Sequence, residues 1–326
     1  MKGYQFKAAL LSALLISAPL EAAPHCLVVS GHPGDSAFES SIEATSTRWV
    51  QAAKKAGYET KFIPSQSGEG EQTQIARLHS ELSALEAPSL DPLWLVFTGH
   101  GNAQGTVARF ALTGADLGAD ELAARLVKIK RPTILVLGFS CSGAFIKTLA
   151  APNRQIIAAT RSGEEENWTR FPKLFAEAIT GLAADGDGDG QVSVFEAWLA
   201  AVGSVEAFYK DTGRLVTEHA VLEDLGVGKP QGREAFDRFG EYSGKTTDVS
   251  GAPGLRSRDS FLLASPLESA LSAEERLKRG EFERELARLR GVKSGMDPEV
   301  YRKAVEVVFL GLAAIYQDAQ KRLPSH

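Results

Sequence analysis

The chain divides into short apolar runs and longer stretches in which apolar residues recur at helical spacing. The runs 27–30, 93–97, 133–137 and 155–159 are rich in Leu, Val, Ile and Phe. Their length and β-branched content predict buried parallel strands. The stretches 38–56, 73–85, 120–128, 144–150 and 171–182 repeat apolar positions every three or four residues and predict helices. Gly57 closes the first of these, and Asp120 is placed near an N-cap. A further strand is expected at 58–63, a polar loop at 66–72, and a hairpin arm at 106–112. Strands alternating with helices predict an α/β fold with a mostly parallel sheet covered on both faces.

Two ends of the chain break this pattern. Lys2 and Lys7 precede the apolar run 8–18, and small residues follow at Ala22 and Ala23. That is the layout of a secretory signal peptide over residues 1–23, and it predicts a secreted or periplasmic protein. No later run is long enough to span a membrane. The folded domain is expected over 24–225. Residues 226–265 are rich in Gly, Ser, Pro and charge and are read as a linker that could act as a mobile tether. Residues 266–326 predict a helical hairpin, with helices at 267–289 and 298–323 and an apolar stripe through Val305, Val308, Leu312 and Ile315.

Composition narrows the function. Among 326 residues, 44% are hydrophobic and 24% charged, an ordinary globular balance. The net charge is −5, and loss of Lys2, Lys7 and Glu21 would make it one unit more negative. No long basic run is present, which argues against nucleic acid as a partner. Cys26 and Cys141 are the two cysteines. Cys26 belongs to the start of one strand and Cys141 to the end of another. Parallel strands put such ends about 16 Å apart, beyond disulfide reach. Cys141 is then a free thiol that needs a reason in an exported protein.

That reason lies at the strand ends. The run 93–97 leads to His100-Gly101, and 133–137 leads to Ser140-Cys141-Ser142-Gly143. Chemistry in open α/β sheets sits at the carboxyl ends of strands. An imidazole and a thiol on one rim predict a cysteine nucleophile with a histidine acid–base partner. His25, His79, His219 and His326 lack such a context.

A second constellation is independent of the first. Asp185, Asp187 and Asp189 stand at positions one, three and five of a twelve-residue loop, 185–196. Gly190 supplies the turn at six, Gln191 a backbone carbonyl at seven, and Glu196 a bidentate carboxylate at twelve. Ser193 at nine can act through water. This is the EF-hand pattern, flanked by helical sequence on both sides, and it predicts a structural Ca²⁺ site.

The apolar strand, His100-Gly101, the second apolar strand and Ser140-Cys141-Ser142-Gly143 resemble the legumain family of caspase-like cysteine peptidases over about residues 27–213. The resemblance implies an α/β/α sandwich of caspase type acting on peptide or protein substrates. It makes His100 the catalytic imidazole, Cys141 the nucleophile, and the Gly101 and Cys141 N–H groups the oxyanion donors. Bacterial relatives of that family are similar in carrying a calcium-type loop. Their nucleophile is followed by an acidic residue; here Ser142 stands in its place, and His32 occupies the neighbourhood of their pocket arginine. The segment 159–170 falls where the family builds its substrate pocket, so Arg161 and Glu164 to Glu166 are candidates for charge preference. The resemblance also suggests that the C-terminal helices regulate access to the site, while the apolar stripe alone predicts helices that bury against each other and against the flank of the domain. Two other readings remain open: a serine α/β-hydrolase using Ser140, with His219 as its histidine, and a non-enzymatic Ca²⁺-dependent binding module.

Overall fold

Six strands form the main sheet: β1 (His25–Ser30), β2 (Glu59–Ile63), β3 (Leu93–Thr98), β7 (Thr133–Gly138), β8 (Arg154–Ala158) and β9 (Val221–Glu223), in the order β2-β1-β3-β7-β8-β9. The structure is a computed structural model and describes residues 23–66, 72–104, 107–237, 240–243 and 251–324. The predicted signal peptide therefore lies outside the described residues, as do part of the 66–72 loop and His326. All strand pairs are parallel except β8 with β9. β9 was not expected from the sequence, because three residues are too few to carry a periodicity.

Alternation along the strands sorts the core into two layers, since successive side chains point to opposite faces. Cys26, Val28, Trp94, Val96, Ile134 and Val136 face one way, against Trp49, Phe175 and Trp198. Those three come from α1 (Ser36–Lys55), α5 (Phe171–Ile179) and α6 (Val194–Asp211). Leu27, Val29, Leu95, Phe97, Leu135 and Leu137 face the other way, against Leu78, Leu122 and Leu149. These belong to α2 (Gln74–Ala84), α3 (Ala119–Leu126) and α4 (Ile146–Leu149). The result is the expected α/β/α sandwich with a mostly parallel sheet.

Local signals set the helix starts. Asp35 caps α1 by accepting from the Ala37 N–H, and Thr73 caps α2 through the Ala76 N–H. Asp120 lies near the N-cap of α3 as expected, in the first turn two residues after the capping Gly118. The expected hairpin arm at 106–112 contains β5 (Val107–Phe110), the middle of a small antiparallel sheet with β4 (Gly101–Gln104) and β6 (Leu117–Gly118). The expected helix at 144–150 opens instead with a tight 3₁₀ turn over Ser142–Phe145 before α4 begins.

The stretch read as a linker does not behave as a tether. Phe236 joins Phe195 and Trp198 in an aromatic cluster, and Leu262 is buried in the same core layer. Buried Asp224 accepts the Gly254 and Ser257 N–H groups and thereby fixes α7 (Leu255–Arg258). Polar composition concealed a segment held by a few large apolar anchors and one buried carboxylate.

The C-terminal helices α9 (Ala273–Val292) and α10 (Pro298–Gln320) follow the short α8 (Pro266–Ser269). Val308 and Leu312 of the expected stripe bury against Leu286 and Leu289, with Val305 partly covered. Ile315 buries against Leu271. The hairpin docks through Arg276, 2.6 Å from Asp91 just ahead of β3. That is the amino-terminal rim of the sheet. Six residues of strand, about 20 Å, separate it from the rim carrying His100 and Cys141, so in this conformation the hairpin is not a lid over them. No helix among the described residues is long and apolar enough to cross a membrane.

Candidate active site

β3 and β7 are direct neighbours, with Thr98 opposite Gly138. Past that pair, the Gly99 N–H still donates to the Gly138 carbonyl at 3.2 Å, so the strand ends remain tied. His100 and Cys141 follow on the same rim. Gly101 closes the gap: a Cβ there would lie 2.0 Å from the Ser140 carbonyl oxygen. The glycine after the histidine is thus a steric requirement of bringing the two strand ends together.

The His100 ring stands between two aromatics, with centroids 4.9 Å from Phe38 and 4.8 Å from Trp168. The Pro33 carbonyl accepts a hydrogen bond from the ring. Nε2 is buried and has no hydrogen-bond partner. Burial lowers the pKa of His100 from its ordinary value, opposed by the Pro33 carbonyl and helped by nearby His32. The resting imidazole is neutral, with one nitrogen oriented and the other free to accept a proton.

Cys141 has a left-handed backbone, φ 60°, a conformation that no other non-glycine residue among those described adopts. Such a conformation costs roughly 1–2 kcal/mol for a residue with a Cβ. The thiol is fully covered. Burial first, and then the Glu166 carboxylate, push it up to about 11. The resting pair is therefore a neutral thiol and a neutral imidazole, and no hydrogen bond joins them.

The Cys141 side chain is buried in the apolar layer that holds Phe139 and Phe145, and the segment expected to line a pocket packs on its turn. The Cys141 N–H donates to the Glu165 carbonyl at 2.9 Å. A Cβ on Gly143 would lie 2.2 Å from the Arg161 carbonyl carbon, so residues 161–165 lie directly on the Cys141 turn. The expected pairing of Gly101 and Cys141 N–H groups as free donors is not met in this conformation, because the Cys141 N–H is engaged. Glu165 in turn is held by His219: Oε1 lies 2.5 Å from Nδ1, and Oε2 accepts the His219 and Arg161 N–H groups. This pair was missed in the sequence, where 54 positions separate its members. His219 is accordingly committed away from Ser140, whose Oγ is buried without a partner. The arrangement contains no Ser–His contact of the kind a serine hydrolase needs.

The loop at 185–196 forms a second cluster. Oxygens of Asp185, Asp187 and Asp189 all lie within 4.8 Å of one another. Gly188 and Gly190 adopt positive φ of 77° and 85°, which lets Asp185 accept both of their N–H groups. Glu196 caps the loop, accepting from Gly186 at 2.9 Å and from Ser193 at 2.9 Å, while Ser193 caps α6 in return. Burial and the charges of Asp189, Glu196 and Asp185 raise the pKa of Asp187 above its ordinary value. Crowded carboxylates with this turn geometry fit a hard divalent cation. Gln191 does something the sequence did not predict: its Nε2 donates to Asp189 at 2.9 Å and its Oε1 accepts the Ser265 N–H at 2.9 Å.

No family model matches the chain, and no curated protein matches it. Among solved structures it is similar to a Geobacter sulfurreducens protein (13% identity, TM-score 0.40, covering 56% of this chain and 89% of that one). It is also similar to caspase-1 from Spodoptera frugiperda (10%, 0.41, 69% and 93%) and to the Drosophila initiator caspase Dronc (11%, 0.40, 63% and 81%). The fold assignment rests on the strand order and layers described above.

Proposed function

We propose that this protein is an exported cysteine peptidase of legumain or caspase type, acting on peptide or protein substrates through His100 and Cys141. The observation that carries the reading is the strained, left-handed Cys141 at a strand end beside a histidine whose Nε2 is buried and unpartnered. Unusual backbone conformations persist where the surroundings enforce them, and they concentrate at reacting groups. In the proposed reaction His100 Nε2 takes the Cys141 proton as sulfur attacks the scissile carbonyl carbon. The imidazolium then protonates the departing amine, leaving a thioester. Water deprotonated by His100 cleaves the thioester and restores the thiol. Substrate entry requires residues 161–166 to shift, which exposes the thiol and frees the Cys141 N–H as an oxyanion donor beside Gly101.

Ca²⁺ at Asp185, Asp187, Asp189, the Gln191 carbonyl and Glu196 is proposed as structural. When bound, the ion neutralises the crowded carboxylates. Export is supported by the charged and apolar pattern of the first 23 residues.

The test is peptide turnover and thiol alkylation on the wild type and three variants. Cys141→Ala and His100→Ala are expected to lose at least about 100-fold in turnover while folding normally. Loss in Ser140→Ala with activity retained in Cys141→Ala would reassign the nucleophile. Neither alkylation of Cys141 nor turnover under any condition would leave the non-enzymatic binding module.

A further inference from the structure

A cleft of about 1060 Å³ lies at the amino-terminal rim of the sheet, between the strand starts and α9. It is remote from Cys141 and takes no part in the proposed reaction. Its charged lining includes Asp259, Glu268, Arg279 and Arg284, with Arg276 engaged by Asp91 and Arg256 by the Asp224 carbonyl. Glu268 is 3% exposed and Arg279 5%. Arg279 Nη2 lies 3.2 Å from Glu268 Oε1, and Nη1 lies 3.6 Å from Asp259 Oδ1. Arg284 Nη1 lies 3.7 Å from Asp259 Oδ2.

These are ion pairs, but the hydrogen bonds do not close. Arg279 Nη2 spends its aligned bond on the Asp259 backbone carbonyl at 2.9 Å. Asp259 Oδ2, both Glu268 carboxylate oxygens and Gln155 Oε1 are buried with no hydrogen-bond partner, and Tyr316 stands beside Glu268 without an aligned bond. On the donor side Arg279 Nε and the Trp94 indole N–H on the cleft wall are unpartnered. Acceptors thus outnumber donors among the buried groups lining the cleft. Buried polar groups without partners call for a bound species that supplies them. Burial pushes Asp259 up to about 7 despite Arg279 and Arg284, with Glu283 and Glu268 adding to the rise. A cleft of this size with few convergent polar groups is the form of a ligand site.

We propose that the cleft binds a ligand bearing a guanidinium or primary ammonium group, seated on Glu268 and Asp259 with Gln155 as a further acceptor. Two sources share this chemistry, a free amine or guanidine and a basic side chain of a peptide.

The experiment is calorimetric titration of the mature Cys141→Ala protein, which separates binding from any turnover. Agmatine and spermidine serve as free probes. Acetyl-Ala-Arg-Ala-amide serves as the peptide probe, and its citrulline counterpart as the uncharged control. The expected result is saturable binding of one charged class, at least about tenfold weaker for citrulline and about tenfold weaker in Asp259→Asn and in Glu268→Gln. The tighter class names the source. If Glu268→Gln fails to fold, the Asp259→Asn titration and a rise in melting temperature of the parent protein with probe decide the question. Absence of saturable heat from every probe up to about 10 mM, or binding unchanged in both variants, overturns the proposal and leaves water as the occupant.

Discussion

At the residue scale, Cys141 is governed by what covers it. Burial and the Glu166 carboxylate hold the thiol up to about 11, so at neutral pH little thiolate is present. Because the pKa is raised, the alkylation rate is expected to climb with pH and level off only above that value. Glu166→Gln removes the second cause and should speed iodoacetamide labelling at pH 8 several-fold, burial remaining. An unchanged rate would show that the carboxylate does not act on the thiol. His100 and Cys141 could be found in the sequence because strand patterns end at them. The His219–Glu165 pair could not, since nothing local distinguishes a histidine whose partner is brought to it only by folding. The engaged Cys141 N–H was equally hidden, for it depends on where the 161–165 segment comes to rest.

At the scale of elements, the loop at 185–196 is joined to the chain that leads into the hairpin. The Val194 N–H donates to the Ser260 carbonyl at 2.8 Å, Ser193 bridges Phe261, and Gln191 accepts from Ser265. Ser260, Phe261 and Ser265 therefore tie the loop to the chain ahead of the hairpin. Chelation is expected to raise hydrogen exchange at the Val194 and Ser265 amides and to lower stability by ~2.7 kcal/mol relative to Ca²⁺ at a hundredfold excess over Kd. Glu196→Gln should remove most of that difference. The same exchange and melting with and without Ca²⁺ would dismiss the site. The loop pattern was legible because its carboxylates and glycines fall within twelve consecutive residues. Its mechanical partner was not, lying some 70 residues later in a stretch whose composition reads as linker.

For the whole molecule, the two rims of the sheet divide the labour. His100 and Cys141 occupy the carboxyl rim, and the hairpin docks at the other through Arg276 and Asp91. Truncation after Ser265 is expected to reduce stability or solubility, since it strips Asp91 of Arg276 and Asp259 of Arg279 and Arg284, while the Cys141 labelling rate of the folded fraction stays the same. Faster labelling would restore a lid function to the hairpin. Asp259 makes the cleft sensitive to pH. Its pKa in the native protein, about 7, lies above that of an unfolded carboxyl near 4, so the native state binds the extra proton. Stability from this group is present at low pH and is lost as pH rises from about 4 to 7. Asp259→Asn should flatten that slope in urea midpoints measured at pH 5 and 8, and an unaltered slope would assign it elsewhere.

The sequence by itself determined the layers and the chemistry carried on local patterns. Period-two and period-3.6 repeats set the strands and helices, their order implies a parallel sheet, and the loop at 185–196 displays its donors consecutively. The tertiary structure alone decided which groups are covered, paired or left over. Burial of Cys141, the Glu165 contact, the anchoring of Phe236 and of residues 254–262, the rim chosen by the hairpin and the unmatched acceptors of the cleft all join residues distant in the chain. Their energies depend on solvent exclusion and alignment, and both exist only once the layers have packed.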